Sequence, residues 1–402
     1  MRQKEILNGR IVIWGTRALG NLAYYYYKDR AEILCYIDND KAKWGKTLNG
    51  IRICPPDELH GKEAAVILAL RNGVDVIERQ LYEEFGIESY VLFQMEETLH
   101  IKGSTLDSEE IPEDTCVISF SGGLGNQMFQ YALFKNLQLK GKHVLADLES
   151  YQRVGVMGFQ LPDVFPNIRL EMCTRGQKKK LLEKNAGEGK KEKKFIIYKE
   201  NAALLPDEKK EADMSLLDVT GGLIAGMHQN YRFAELIREE LLESFQFNCC
   251  YDDKLKSLTE TMAEENAVGV HLRRGDYTSE RYAPFYGNIC TEKYYYSAVK
   301  YMKEKVNNCR FYFFSDDIEE IKEHYKMDNA VYVEKAMFDG YEDWYDMYLM
   351  SICKHNIIAN STFSWWGAWL NRHEDKIVIA PEKWINSCDY QDIYPKGWMQ
   401  MS

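Results

Sequence analysis

Short apolar runs alternate with amphipathic stretches along most of the chain. Arg10-Ile-Val-Ile-Trp14, Ile33-Leu-Cys-Tyr-Ile37 and Ala64-Ala-Val-Ile-Leu-Ala-Leu70 read as buried strands, with a helical pattern through Tyr24-Tyr25-Tyr26-Tyr27 between the first two. Residues 95–114 are polar and acidic, with Gly103 and Pro112, and read as a linker after a first α/β unit at 1–94. Cys116-Val-Ile-Ser-Phe120 opens a second region. Phe129, Leu133 and Leu137 follow at four-residue spacing, one face of a helix. Residues 174–214 show no strong period. Strand patterns resume at Ala267–His271, Phe311–Ser315, Asn329–Val333, Asn356–Ala359 and Ile377–Ala380, interleaved with helical patterns at Tyr294–Lys305, Trp344–Cys353 and Ser364–Leu370. Strands alternating with helices predict parallel sheets and an α/β fold, whose ligands sit at the carboxyl ends of the strands.

Length and charge narrow the classes. The 402 residues are enough for two or three globular units, and the net charge of −11 disfavours whole-surface binding to nucleic acid. No run of 18 apolar residues predicts a membrane-spanning helix, and the first residues lack the apolar core of a signal peptide. Ten cysteines are scattered without C-x-x-C spacing, which argues against zinc and against a disulfide framework. The expectation is a reduced, cytoplasmic protein. Residues 175–194 carry nine basic side chains against three acidic ones. A solvated face explains such a run, and so does peripheral association with an anionic membrane.

Four motifs follow strands directly. Ser121-Gly-Gly-Leu-Gly-Asn-Gln127 places glycines, Gly123 among them, at the mouth of a helix, with Asn126 and Gln127 able to hydrogen-bond a sugar or phosphate. A plain strand–helix turn shows the same glycines. His271-Leu-Arg-Arg-Gly-Asp-Tyr277 sets Arg273 and Arg274 at a strand end, where one guanidinium grips an oxyanion and Asp276 orients it; a structural ion-pair turn is the alternative. Ser315-Asp316-Asp317 suits ribose or base recognition, or equally a helix cap. Asn360-Ser361-Thr362-Phe363 puts hydroxyls and backbone N–H groups at a helix N-terminus, while Trp365 and Trp369 read as core.

Together these motifs, with Gly226-Met-His228-Gln229 as a looser match, resemble the bacterial α-1,2-fucosyltransferases of glycosyltransferase family eleven over about 115–402. The resemblance implies a GT-B pair of Rossmann-like lobes, an acceptor-side lobe at 115–262 and a donor lobe at 263–402. It implies L-fucose transfer from GDP-β-L-fucose, with inversion, to a galactoside 2-hydroxyl, with no metal or other cofactor. Arg273 and Arg274 would hold the pyrophosphate with Asp276 as orienter. His271, Asn126, Gln127, Gly123, Asp316, Asp317, Asn360, Ser361, Thr362 and Phe363 would contact the donor, and His228, Gln229 and Tyr277 the acceptor. Glu280 would be the general base, with His228 as rival. The other readings are a same-fold transferase with another donor such as a rhamnosyl nucleotide, an NAD-linked oxidoreductase, and a non-catalytic sugar-binding protein.

The first unit adds to that pattern. Gly15-Thr-Arg-Ala-Leu-Gly20 has two glycines of G-x-G-x-x-G, but Arg17 stands at the middle one, which puts dinucleotide binding in doubt. The segment through Ile37–Lys41 and Trp44–Ile51 resembles the N-terminal Rossmann-like domain of bacterial sugar acyltransferases and implies an accessory or interaction module. Asp38-Asn-Asp40 lies outside the transferase match and is not read as a metal motif.

Overall fold

A computed structural model of the chain describes residues 9–70, 74–88, 90–93, 112, 114–152, 158–173, 176–178, 181, 196–199, 209–247, 253–338, 341–390 and 392–402. They fall into two compact units. The first lies within Met1–Glu113, Gly158–Asp163 and Ile168–Phe195, the second within Asp114–Met157, Val164–Asn167 and Ile196–Ser402. The first unit thus draws on chain from inside 115–262. Of the basic run at 175–194, only 176–178 and 181 are described, so the membrane-association reading lies largely outside the described residues. Among the described residues no helix is long and apolar enough to cross a membrane.

The first unit holds β1 (Arg10–Trp14), α1 (Ala18–Tyr27), β2 (Glu32–Ile37), β3 (Thr47–Leu48), β4 (Ile51–Cys54), β5 (Ala65–Leu68), α2 (Val74–Phe85) and β6 (Val91–Leu92). The sheet order is β3-β4-β2-β1-β5-β6, parallel except for the β3–β4 pair. Val12, Trp14, Ile37 and Leu68 face one side of the sheet and pack with Leu81 of α2. Gly15 adopts φ +116°, and a Cβ there would sit 2.5 Å from the Ala69 carbonyl oxygen, so the turn into α1 needs glycine. Arg17 is exposed just before α1. Asp38, at the position where a dinucleotide fold meets the ribose, accepts from Thr16 Oγ1 and pairs with Lys43 at 3.4 Å. Its carboxylate is therefore already engaged.

The second unit carries two parallel sheets. The first contains β7 (Cys116–Ser119), β8 (Val144–Asp147), β9 (Ile196–Lys199) and, after the short β10 (Lys209–Lys210), β11 (Gly222–Ala225), in the order β8-β7-β11-β9. Helix α3 (Leu124–Leu139) follows β7. Beyond β11 come α4 (Tyr231–Leu236), α5 (Arg238–Ser244) and α6 (Asp253–Glu264). The second sheet contains β12 (Asn266–Leu272), β13 (Cys309–Ser315), β14 (Ala330–Tyr332), β15 (His355–Ile357), β16 (Val378–Pro381) and, after β17 (Asp389–Tyr390), β18 (Met399–Met401). Its order is β14-β13-β12-β15-β16-β18, with α7 (Glu292–Lys305), α8 (Ile318–His324), α9 (Tyr345–Ile352) and α10 (Thr362–Leu370) as its helices. Strand order reverses between β12 and β15 here, and between β7 and β11 in the first sheet. Such switch points open a crevice at the strand ends.

The α/β class and the paired GT-B lobes are as expected. The expected 329–333 strand is trimmed to β14. Strands β9, β10 and β11 arise where no strand was foreseen. The lobes meet along a seam in which Trp365, Trp366 and Trp369 are buried, with Phe129 of α3 4.6 Å and 4.9 Å from the first two. Trp365 and Trp369 are core, as their spacing suggested. The Arg238 guanidinium lies 4.4 Å over Trp369, Arg232 pairs with Asp392 at 3.0 Å, and β10 pairs with β17 across the same seam.

Candidate active site

Strand register brings the motifs together. His271 lies opposite Phe314, Leu272 opposite Ser315, and Val270 opposite Ile357, so the arginine, Ser-Asp-Asp and Asn-Ser-Thr segments leave three adjacent strands on one edge. The His271 carbonyl accepts from Tyr295 Oη at 3.0 Å, and its ring lies 5.8 Å from that of Phe363. Its Nδ1 is buried with no hydrogen-bond partner among the described residues. Burial, helped by the charge of Arg273, pulls this imidazole down to about 3, so it is neutral at physiological pH.

Arg273 pairs with Asp316 Oδ2 at 3.1 Å and lies 5.7 Å over the Tyr277 ring. The Arg274 backbone N–H donates to Asp316 Oδ1 at 2.9 Å, and its side chain pairs with Glu320 at 3.3 Å. Asp316 is thus the carboxylate that steers Arg273, in addition to the base- or ribose-reading role expected of it. The side chain of Asp276, expected as the orienter, lies outside the described residues. Gly275 runs against the same carboxylate: a Cβ there would lie 2.3 Å from Asp316 Oδ2 and would push that side chain aside. Asp317 accepts from the Glu320 N–H and caps α8, so it too serves the fold.

Two helix N-termini meet beside these groups. Gly123 precedes α3 and Ser361 precedes α10, and neither makes a side-chain capping bond. A Cβ on Gly125 would fall 2.6 Å from the Thr362 carbonyl carbon, and Trp366 Nε1 donates to the Gly125 carbonyl at 2.9 Å. The first turns of α3 and α10 are therefore in contact, and each carries the free N–H groups and positive dipole end of its helix. Gln127, expected as a ligand, is fully buried and donates to the Gly122 carbonyl; it holds the turn instead. Gln229 donates to Asn126 Oδ1 at 2.9 Å and accepts from Trp384 Nε1 at 2.8 Å, a clasp across the seam that occupies both ends of its amide. Asn360 Nδ2 donates to the Tyr286 and Trp384 carbonyls, and Tyr277 Oη donates to the Asn360 carbonyl at 3.0 Å. His228 is buried with φ +47° at the end of β11. Glu280 stands exposed in the turn after the arginines and makes no hydrogen bond or ion pair with the described residues.

One carboxylate escaped the sequence reading. Asp346, in the first turn of α9, is buried, and its Oδ1 has no partner among the described residues. Burial first, with the Asp343 and Asp316 carboxylates acting in the same direction, pushes it up to about 7. Its only sequence signal was an acidic residue on the apolar face of a helix. Among the described residues no three His, Cys, Asp or Glu side chains are grouped to hold a metal ion.

The model of glycosyl transferase family 11 matches residues 106–402, and that of the C2185-like N-terminal domain matches 7–93. An alpha-1,2-colitosyltransferase of Escherichia coli is 32% identical over 306 residues, 71% of this chain and 98% of its own. The O-antigen biosynthesis glycosyltransferase WbnK of Escherichia coli is also 32% identical, over 310 residues, 70% of this chain and 98% of its own. A mutant of Arabidopsis thaliana FUT1 in complex with GDP aligns at 15% identity and a TM-score of 0.36, over 72% of this chain and 78% of its own. The 106–402 match takes in both helix N-termini, the paired arginines and the clasp between the lobes, and the chain belongs to glycosyl transferase family 11 as a glycosyltransferase.

Proposed function

We propose that the protein moves L-fucose from GDP-β-L-fucose to the 2-hydroxyl of a galactoside, with inversion and without a metal ion. The observation that carries this reading is the close approach of the α3 and α10 first turns, Gly125 against Thr362, beside the strand edge that carries Arg273. As the bond to the anomeric carbon breaks, negative charge gathers on the β-phosphate. Fixed N–H dipoles and a guanidinium stabilise that charge without reorganising. Arginines in this position supply what a divalent cation would otherwise supply. Neutral His271 offers its buried Nδ1 to the donor. Glu280 takes the proton of the attacking hydroxyl; its exposure leaves it open to an entering acceptor, whereas His228 is buried. The α-1,2 linkage in the name of the Escherichia coli relative supports the hydroxyl chosen. The same name favours a second reading, a GDP-colitosyl donor.

Incubation with lactose and GDP-fucose, GDP-colitose or a GDP-rhamnosyl donor in EDTA tests this. GDP-fucose should turn over fastest, and Glu280→Gln should lower kcat. Preference for another donor, loss of turnover in EDTA, or an unchanged Glu280→Gln kcat would each remove the corresponding part.

Asp346 completes the donor site in this proposal: its unpartnered oxygen is suited to the adjacent N–H donors of guanine. Asp346→Asn should then raise the KM for the GDP-sugar about 10- to 100-fold, the scale of one charge-assisted hydrogen bond. Stability should move the other way. The folded-state carboxyl titrates near 7 against 3.8 for the ordinary group, so in the ligand-free enzyme it costs nothing below the lower value. Its cost grows as pH rises to 7, reaching at most about 4 kcal/mol. The Asn variant should match the wild-type Tm at pH 4 and exceed it at pH 8, and thermal melts at both values read this.

A further inference from the structure

We infer that Phe285 is a stacking platform for the acceptor glycan, holding the sugar next to the one that reacts; this rests on the glycosyltransferase reading above. The turn after the arginines is crowded with rings. Tyr277 stacks on Tyr286 at 4.8 Å, Phe285 lies 6.4 Å from Tyr286, and the Arg281 guanidinium lies 5.2 Å over Tyr282. Tyr277 itself lies under Arg273, so the rings lead outward from the phosphate cradle. Phe285 ends this series and is 46% exposed.

Its backbone is anything but loose. Asn386 N–H donates to the Phe285 carbonyl at 2.8 Å, and Asn386 Nδ2 donates to the Gly287 and Pro284 carbonyls. Asn360, the residue just before the uncapped Ser361, donates to the Tyr286 carbonyl. An apolar ring is thus kept in water by a frame shared with the donor cradle. The C–H face of a pyranose is the chemistry that covers such a ring, and a fixed ring loses little entropy when it does.

With GDP-fucose saturating, lactose and methyl β-galactoside are the probes. Phe285→Ala should raise the KM for lactose about five- to tenfold, the scale of one ring contact. The KM for methyl β-galactoside and the hydrolysis of donor without acceptor should be unchanged, and Phe285→Trp should restore the lactose KM. Tyr296→Ala, which removes a 59% exposed ring from α7, should change nothing. A lactose KM within twofold of wild type overturns the inference. So does an equal loss with both acceptors, which marks damage to the cradle, and so does a wild-type dimer that Phe285→Ala dissolves. Wild-type inactivity on both acceptors would instead count against the proposed galactoside acceptor, on which the inference rests.

Discussion

Replacing Arg273 with alanine is expected to lower kcat about 10²- to 10³-fold, the loss typical of one preorganised donor to a developing oxyanion. The guanidinium is aimed by Asp316 at 3.1 Å, whose other oxygen is held by the Arg274 N–H at 2.9 Å. That hold fixes the fork before substrate arrives. Arg273→Lys should recover little, because a point charge on a flexible stem does not reproduce a planar fork steered by a carboxylate. Folding should survive. Arg273 and Asp316 are about a third and a quarter exposed, and an ion pair so placed contributes no more than about 1 kcal/mol. The measurement is kcat and Tm on the same preparations. An alanine enzyme within threefold of wild-type kcat, still folded, would take Arg273 out of the mechanism. Asp316→Asn should give a smaller loss that falls mainly on kcat, since it loosens the fork without removing it.

The strands that deliver the site were legible because each is a short apolar run cut off by a polar motif. Local pattern therefore located Arg273, Asn126 and Ser361 at strand ends. It said nothing of what each motif would touch. Asp316 meets the arginines across 42 residues of chain, and Gln229 meets Asn126 across 103. Polar side chains at a strand end look alike whether they face a ligand or one another. Gln127 was read as a ligand for that reason, although the turn of Gly122 consumes it. Strand β11 was hidden by the glycines that flank its Leu-Ile-Ala core, which lower its strand signal while the sheet order makes it central. Asp346 was hidden in the opposite way. A carboxylate within an amphipathic stretch passes for the solvated face, and only burial with an unpartnered oxygen marks it as a candidate.

The second large effect should come from a single methyl group at Gly125. An added Cβ would stand 2.6 Å from the Thr362 carbonyl carbon and 2.7 Å from its oxygen. These are backbone atoms at the start of α10, so relief requires moving one helix against the other. Overpacking of this kind costs about 1–3 kcal/mol. The functional loss should exceed what stability predicts, because the displaced groups are the N-termini that the proposed mechanism sets against the leaving phosphate. Misplacing such groups by as little as about 1 Å can cost on the order of 10²-fold in rate. Gly125→Ala should therefore lower kcat about a hundredfold under conditions where the protein remains folded, with a smaller rise in donor KM. Gly397→Ala, at φ +97° with open space around it, is the control for glycine loss by backbone strain without a clash: it should lower Tm and leave kcat intact. If Gly125→Ala lowered Tm while the folded enzyme kept wild-type kcat, the close approach of α3 and α10 would be packing alone. Stabilisation of the departing nucleoside diphosphate would then rest on the guanidinium without the helix dipoles.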